Sequence, residues 1–245
     1  RLGMVEEESF YKTVEHLRKV GAKYVTLKTG AYRPADLARA VKFASEAKID
    51  LLTVDGAGGG TGMSPWRMMN EWGIPTVQLE CLLYDYLKRL DAKRKFIPDC
   101  AIAGGLSLED HIFKALALGS PYVKAVCMGR SIMTAAMVGN TQANLLKKKV
   151  EKDIEKDGEI IHYFDEERHI VKKGDWANIE DLFITSPKLK EKYGKDFKLI
   201  PPSAIGVYTY IDRLTQGLQQ LMAGARKFAL NYINRDDICA LTTDT

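Results

Sequence analysis

At 245 residues, with 46% hydrophobic and 28% charged side chains, the chain is long enough for one large domain or two small ones with a real core. Its net charge of +4, with no basic stripe interleaved with aromatics, argues against a nucleic-acid partner. No apolar run approaches the roughly 18 residues of a membrane span. Cys81, Cys100, Cys127 and Cys239 show no paired spacing. That predicts buried thiols in a reducing, cytoplasmic setting, and neither a zinc site nor an iron–sulfur cluster.

Helix and strand patterns alternate from the start to about residue 140. Residues Glu6 to Val20 read as an amphipathic helix through Phe10, Val14, Leu17 and Val20. A strand at Lys23–Lys28 follows, and Pro34 then opens a helix whose face is Leu37, Val41 and Ala44. The run Leu51–Val54 is a second strand. Gly73-Ile74-Pro75 leads to a predicted strand at Thr76–Leu79 and a helix through Leu83, Leu87 and Leu90. Cys100–Ala103 is the next strand, with Ser107 as N-cap of a helix that reaches Gly119. Tyr122–Cys127 is the last. Five strands joined by βα units predict a parallel sheet.

Residues 141–200 differ, with 13 basic and 13 acidic residues and sparse apolar positions, and read as surface helices and loops. After Pro201-Pro202, residues 204–230 read as one long helix with Tyr210, Leu214, Leu218, Leu221 and Ala225 on one side. The chain opens on Arg1 and shows no signal peptide. With the strand count, this predicts that further strands precede it.

In βα-repeat folds, ligands meet the C-terminal ends of the strands. Four such ends carry unusual residues: Lys28, the loop from Gly56 to Ser64, Gly104-Gly105 and Gly129-Arg130. The loop holds five glycines in the seven residues Gly56–Gly62. Its backbone suits a flat ligand or an anion. It fits neither the Walker pattern nor Gly-x-Gly-x-x-Gly. Gly104-Gly105 and Gly129-Arg130 lie about one βα unit apart, the spacing at which paired strand ends hold a phosphate in barrels. Lys28 is suited to stabilising negative charge on a ring system such as reduced flavin. Asp55 is placed either to orient a ligand or to accept hydrogen bonds from the loop. Arg67 is placed either to meet a substrate carboxylate or to form a surface ion pair. His16, His111, His162 and His169 fall away from strand ends, so no catalytic role is read for them.

Lys28, the stretch Val54–Pro65 and Gly104-Gly105 resemble the FMN-binding barrel of the glutamate synthase family. That family's glycine loop, of the form GGTG-x-SP, is matched residue for residue by Gly59-Gly60-Thr61-Gly62-Met63-Ser64-Pro65. The stretches Ala115–Gly119 and Met128-Gly129-Arg130 resemble FMN- and phosphate-binding barrels more widely, including 2-hydroxy-acid oxidases. The helix after Pro202 is similar to a post-barrel helix of glutamate synthases.

The resemblance implies a TIM (β/α)8 barrel. Residues 1–140 would be its C-terminal portion (about strands 4–8), 141–200 a charged surface insert and 201–245 a helical tail. It implies FMN held by Lys28, Asp55, Gly56, Gly58, Gly59, Gly60, Thr61, Gly62, Ser64, Gly104, Gly105, Gly129 and Arg130. Lys28 would be catalytic and Arg67 substrate-binding. The implied reaction is reductive amination of 2-oxoglutarate to glutamate, with an electron-donor subunit or domain and an oligomeric assembly. Two features depart from the family. Ala57 and Gly58 stand where it carries a His-Asp pair, and residues 128–238 contain no cysteine to hold its iron–sulfur cluster. The alternatives are an FMN oxidoreductase for another small carboxylate, or a non-redox phosphate-binding barrel in a larger complex.

Overall fold

The structure, a computed structural model, describes residues 6–30, 33–59, 67, 71–153, 159–161, 170–172 and 182–241; from 145 to 172 it describes backbone only. The described residues form two compact units, Arg1–Met128 with Gly217–Thr245, and Gly129–Gln216.

The first unit is built on four parallel strands, β1 (Thr26–Gly30), β2 (Leu51–Asp55), β3 (Asp99–Ala103) and β4 (Val123–Cys127), hydrogen-bonded in the order of the chain. Helices α1 (Glu7–Lys19), α2 (Pro34–Glu46), α3 (Thr76–Ala92) and α4 (Glu109–Gly119) precede or link them. Sequential strand order with right-handed crossovers lays every linking helix on the same face. The packing agrees: α1 lies on α2, α2 on α3 and α3 on α4. An unbroken strand order with helices on one face is consistent with an arc of a βα barrel and differs from a doubly wound sheet, which reverses its order and carries helices on both faces.

Strand alternation then divides the side chains. Leu52, Val54, Cys100 and Ile102 face the helices and are fully buried with Leu37, Leu79, Leu83 and Leu87. The opposite face carries Lys28, Thr53 and Ala101 in register, followed by Asp55 and Ala103 at the strand ends. These residues are small or polar, as a surface facing a ligand or a barrel interior requires. Helix ends follow local chemistry. Pro34 starts α2, and its last turn closes through Lys48 at φ +51° with Ile49 N–H donating to Ala44 at 2.8 Å. Arg94, at φ +50°, closes α3 in the same way. A cation in that place also suits the helix dipole.

Four sequence expectations are corrected. Thr76–Leu79 is not a strand but the first turn of α3, so the sheet has four strands among the described residues. In a strand, Val77 and Leu79 would share a face; here Val77 is 49% exposed and Leu79 fully buried. The helical stripe Leu79, Leu83, Leu87 outweighs the short-range alternation. Ser107 does not cap α4: the His111 ring turns back and its Nδ1 accepts from the Ser107 and Leu108 N–H groups at 3.2 and 3.3 Å. The helix after Pro201 is α7 (Pro202–Gly224), ending before residue 230. The thiols are not uniformly buried, since Cys127 and Cys239 are exposed and Cys81 half-buried.

From Gly217, the last turns of α7 and the residues after it belong to the first unit. Leu218, Met222 and Ala225 pack with Ile233 and Ile238 around Phe113, Leu116 and Ala117 of α4. Arg235 locks this segment by donating to the Leu118 carbonyl while its guanidinium stacks 4.2 Å from the Tyr84 ring.

The second unit holds α5 (Arg130–Asp153), an antiparallel hairpin of β5 (Glu159–Ile161) and β6 (Ile170–Lys172), α6 (Ser186–Tyr193) and the first part of α7. The hairpin is an element the charged composition of 141–200 does not announce. Phe183, Leu189, Phe197 and Ile205 form a small core of its own. The helices α5 and α7 cross at Gly139 and Gly206, where a Cβ on Gly206 would lie 2.6 Å from the Ala135 carbonyl oxygen. His162 and His169 lie outside the described residues.

One buried carboxyl group stands out in the first unit. Glu80 of α3 is 2% exposed, and its Oε1 has no hydrogen-bond partner among the described residues. Burial pushes its carboxyl up to about 8, against a smaller opposing pull from Arg235. Between about pH 4.5 and 8 the folded state therefore keeps a proton that the unfolded state has released. Stability falls as pH rises through that window. Urea denaturation of the wild type should show this decline, and Glu80→Gln should abolish it. In the same assay Leu83→Ala should cost about 2–5 kcal/mol, whereas Val77→Ala, on the exposed side of α3, should stay within about 0.5 kcal/mol.

Candidate functional site

The strand ends align by register. Gly30 of β1 sits opposite Asp55 of β2, Asp55 opposite Ala103 of β3, and Ala103 opposite Cys127 of β4. The loops leaving them therefore start from one edge, the C-terminal edge of the sheet.

The closest approach on that edge joins the loops after β2 and β3. Gly56 N–H donates to the Ala103 carbonyl at 2.8 Å, which brings the Gly56 backbone against Gly104. A Cβ on Gly104 would stand 2.9 Å from both the nitrogen and the oxygen of Gly56, and φ of +125° is itself closed to L side chains. A Cβ on Gly56 would meet the Thr76 backbone at 2.6 Å. Thr76 is the third member of this contact. Its hydroxyl donates to the Gly104 carbonyl at 2.7 Å and leans toward that of Ala57 at 3.3 Å. Ala57 N–H donates to the Ile74 carbonyl, pinning the loop to the residues that start α3.

From this junction the glycine loop turns across the edge. Gly58, at φ +86°, passes Gly105, whose backbone would be 3.5 Å from a Gly58 Cβ. A Cβ on Gly105 itself, at φ +75°, would meet nothing within 4 Å among the described residues. Gly59 folds against Asp55, so that a Cβ there would overlap Oδ1. Asp55 is buried, with 5% of its side chain exposed, and its Oδ2 holds the Lys28 ammonium at 3.0 Å. The Lys28 side chain is 63% exposed.

The structure thus brings Lys28, Asp55, Gly56, Gly58, Gly59, Gly104 and Gly105 to one edge. Gly60, Thr61, Gly62 and Ser64 lie outside the described residues. Arg67 is exposed and ion-paired with Glu71 at 3.0 Å. Gly129 and Arg130 open the second unit, at the start of α5. Thr76 is the residue that sequence reasoning missed, because reading it as strand hid a hydroxyl at a helix start. The signal was present: Gly73-Ile74-Pro75 ahead of a leucine stripe marks a helix N-terminus.

A separate cavity of about 810 Å³ lies on the helical side, lined by residues including Thr76, Glu80, His111, Phe113, Leu221 and Arg235. In its lining Asp110 is paired with Lys114 and His111 is engaged by backbone N–H groups, while Glu80 Oε1 has no hydrogen-bond partner among the described residues. The strand-end edge is the site with open, convergent backbone. Among the described residues, no three or more His, Cys, Asp or Glu gather as a metal site, and no helix is long and apolar enough to cross a membrane.

The edge fits a flat anionic cofactor. Among the described residues, nothing lies within 4 Å of a Cβ placed on Gly105, and a lysine ammonium fixed by a buried carboxylate stands on the same edge. The first unit is an α/β unit with a parallel four-stranded sheet that carries glycine backbone, an ammonium and a carboxylate at its strand ends. The conserved region in glutamate synthase matches residues 2–148, more than half of the chain, and the chain belongs to that family. No curated protein matches it.

The junction has a measurable signature. Gly104→Ala should destabilise the protein by about 2–5 kcal/mol, through overlap with Gly56 and a strained φ. Gly105→Ala should cost only about 1–2 kcal/mol, since among the described residues only the backbone angle opposes it. Urea unfolding that ranks the two equally would contradict this geometry.

Proposed function

We propose that the protein is an FMN-dependent oxidoreductase of the glutamate synthase type, acting on 2-oxoglutarate in the cytoplasm. Its sheet would form part of a (β/α)8 barrel. The observation that carries this reading is the Lys28–Asp55 pair beside the glycine backbone of residues 56–59 and 104–105. Membership of the glutamate synthase family supports it.

Bound FMN would supply the hydride for reductive amination. Lys28 would place its ammonium where negative charge collects on the reduced ring, and Asp55 would keep that ammonium on the edge. Gly58 and Gly105 would let backbone lie flat along the ring, with no side chain to hold it away. Gly60, Thr61, Gly62 and Ser64 would continue that wall, and Arg67 would exchange Glu71 for a substrate carboxylate. Electrons would come from a donor subunit or domain.

A second reading has one specific observation behind it. Ala57 and Gly58 remove the side chains that the family places before its paired glycines, which favours a different small carboxylate on the same flavin.

The full polypeptide should take up FMN, read as flavin absorbance that filtration does not remove. Lys28→Met should retain FMN and lose about a hundredfold in kcat with 2-oxoglutarate and an ammonia source. Turnover of 2-hydroxy acids in place of 2-oxoglutarate would select the second reading. A full polypeptide that takes up no FMN defeats both.

A further inference from the structure

We infer that Asp55 is a positioning residue that acts through Lys28, fixing the ammonium and the glycine loop with one carboxylate. The inference rests on the proposed role of Lys28 at a flavin, and it adds what aims that lysine.

Three observations carry it. Lys28 and Asp55 stand on neighbouring strands and on the same face, because Asp55 is in register with Gly30, two residues beyond Lys28. Their charged atoms meet at 3.0 Å, although the Lys28 side chain is 63% exposed and Asp55 only 5%. The second oxygen of Asp55 is occupied differently: the Gly59 backbone is folded onto Oδ1 so closely that no side chain fits there.

The asymmetry of burial decides which residue aims the other. An exposed lysine has a long, rotamer-rich side chain, and water alone gives its ammonium no direction. Asp55 is held by its burial at the end of β2 and by the loop packed on it. A buried carboxylate in turn requires a partner for its charge. Lys28 answers that need, and so its ammonium is drawn to one place on the edge. A substituent on the loop at Gly59 would displace the carboxylate and, with it, the ammonium. The loop and the lysine are thereby coupled.

The test compares the full polypeptide with Asp55→Asn, which keeps the volume beneath Gly59, and Asp55→Glu, which keeps the charge. The first readout needs no flavin. The rate at which an amine-acylating reagent modifies Lys28 is followed by peptide mass spectrometry and normalised to Lys42, whose partner is Glu7. Asp55→Asn should raise the relative Lys28 rate by about two- to fivefold, the range for a half-exposed ion pair. Asp55→Glu should stay within about twofold of wild type. If Asp55→Asn fails to fold, Asp55→Ser serves in its place. An unchanged ratio, or a rise shared by Lys42, overturns the inference, because a purely structural role loosens all lysines together.

The second readout is turnover in FMN-loaded protein. There, Asp55→Asn should lower kcat by about tenfold with KM for 2-oxoglutarate little changed, and Asp55→Glu should restore much of the loss. A KM effect with unchanged kcat would count against positioning. FMN uptake by the unmodified chain is scored separately. If labelling obeys Asp55 but no FMN is taken up, the flavin reading fails while the Asp55–Lys28 coupling stands.

Discussion

Backbone meets backbone at the centre of the strand-end edge, with Gly56 and Gly104 in contact and the Thr76 hydroxyl joining the Gly104 and Ala57 carbonyls. Every other feature of the edge is referred to that junction. It sets how far the loop after β2 can travel before turning, and so where Gly58 passes Gly105 and where Gly59 meets Asp55. It also ties the start of α3 to two strand ends at once. A helix that begins in contact with the loops it serves has little freedom to drift.

The junction is affordable only because the opposite side of the sheet is firmly packed. Leu52, Val54, Cys100 and Ile102 alternate into a fully buried layer with the leucine stripe of α3. That layer fixes the register of β2 against β3, since a slip of one residue would turn those side chains toward the small, polar face. Register in turn places Asp55 next to Ala103 and two residues ahead of Lys28. The ion pair at the edge is thus a consequence of apolar packing on the other side of the strands. Charge attraction between an exposed lysine and its partner is too weak to set register alone.

Glu80 illustrates the opposite relation between packing and charge. It lies in the same buried layer of α3, where apolar periodicity would place a leucine-like residue, and its Oε1 has no partner among the described residues. Its position near Arg235 links the buried carboxyl to the segment that packs Ile233 and Ile238 onto α4. The family match at residues 2–148 includes α1 to α4 and all four strands, so this buried layer and the glycine edge fall within the region shared with glutamate synthases.

Local chemistry was enough to read much of this from the residues in order. Pro34 and the Leu37–Val41 spacing fixed α2, the apolar run before Gly56 fixed β2, and the glycine clusters marked two strand ends. It was not enough for Thr76–Leu79, where four alternating residues read as strand, because the leucine stripe that makes them helical extends over three turns and gains its energy only against β2 and β3. Nor could the sequence show that His111 caps its own helix, or that 141–200 contains a hairpin. What the chain determined by itself was which backbone could turn and which faces were apolar. What only the tertiary structure decided was the meeting of Lys28, Asp55, Gly59 and Thr76, since hydrogen bonds and ion pairs between distant segments depend on register, and register is set by packing across the whole sheet.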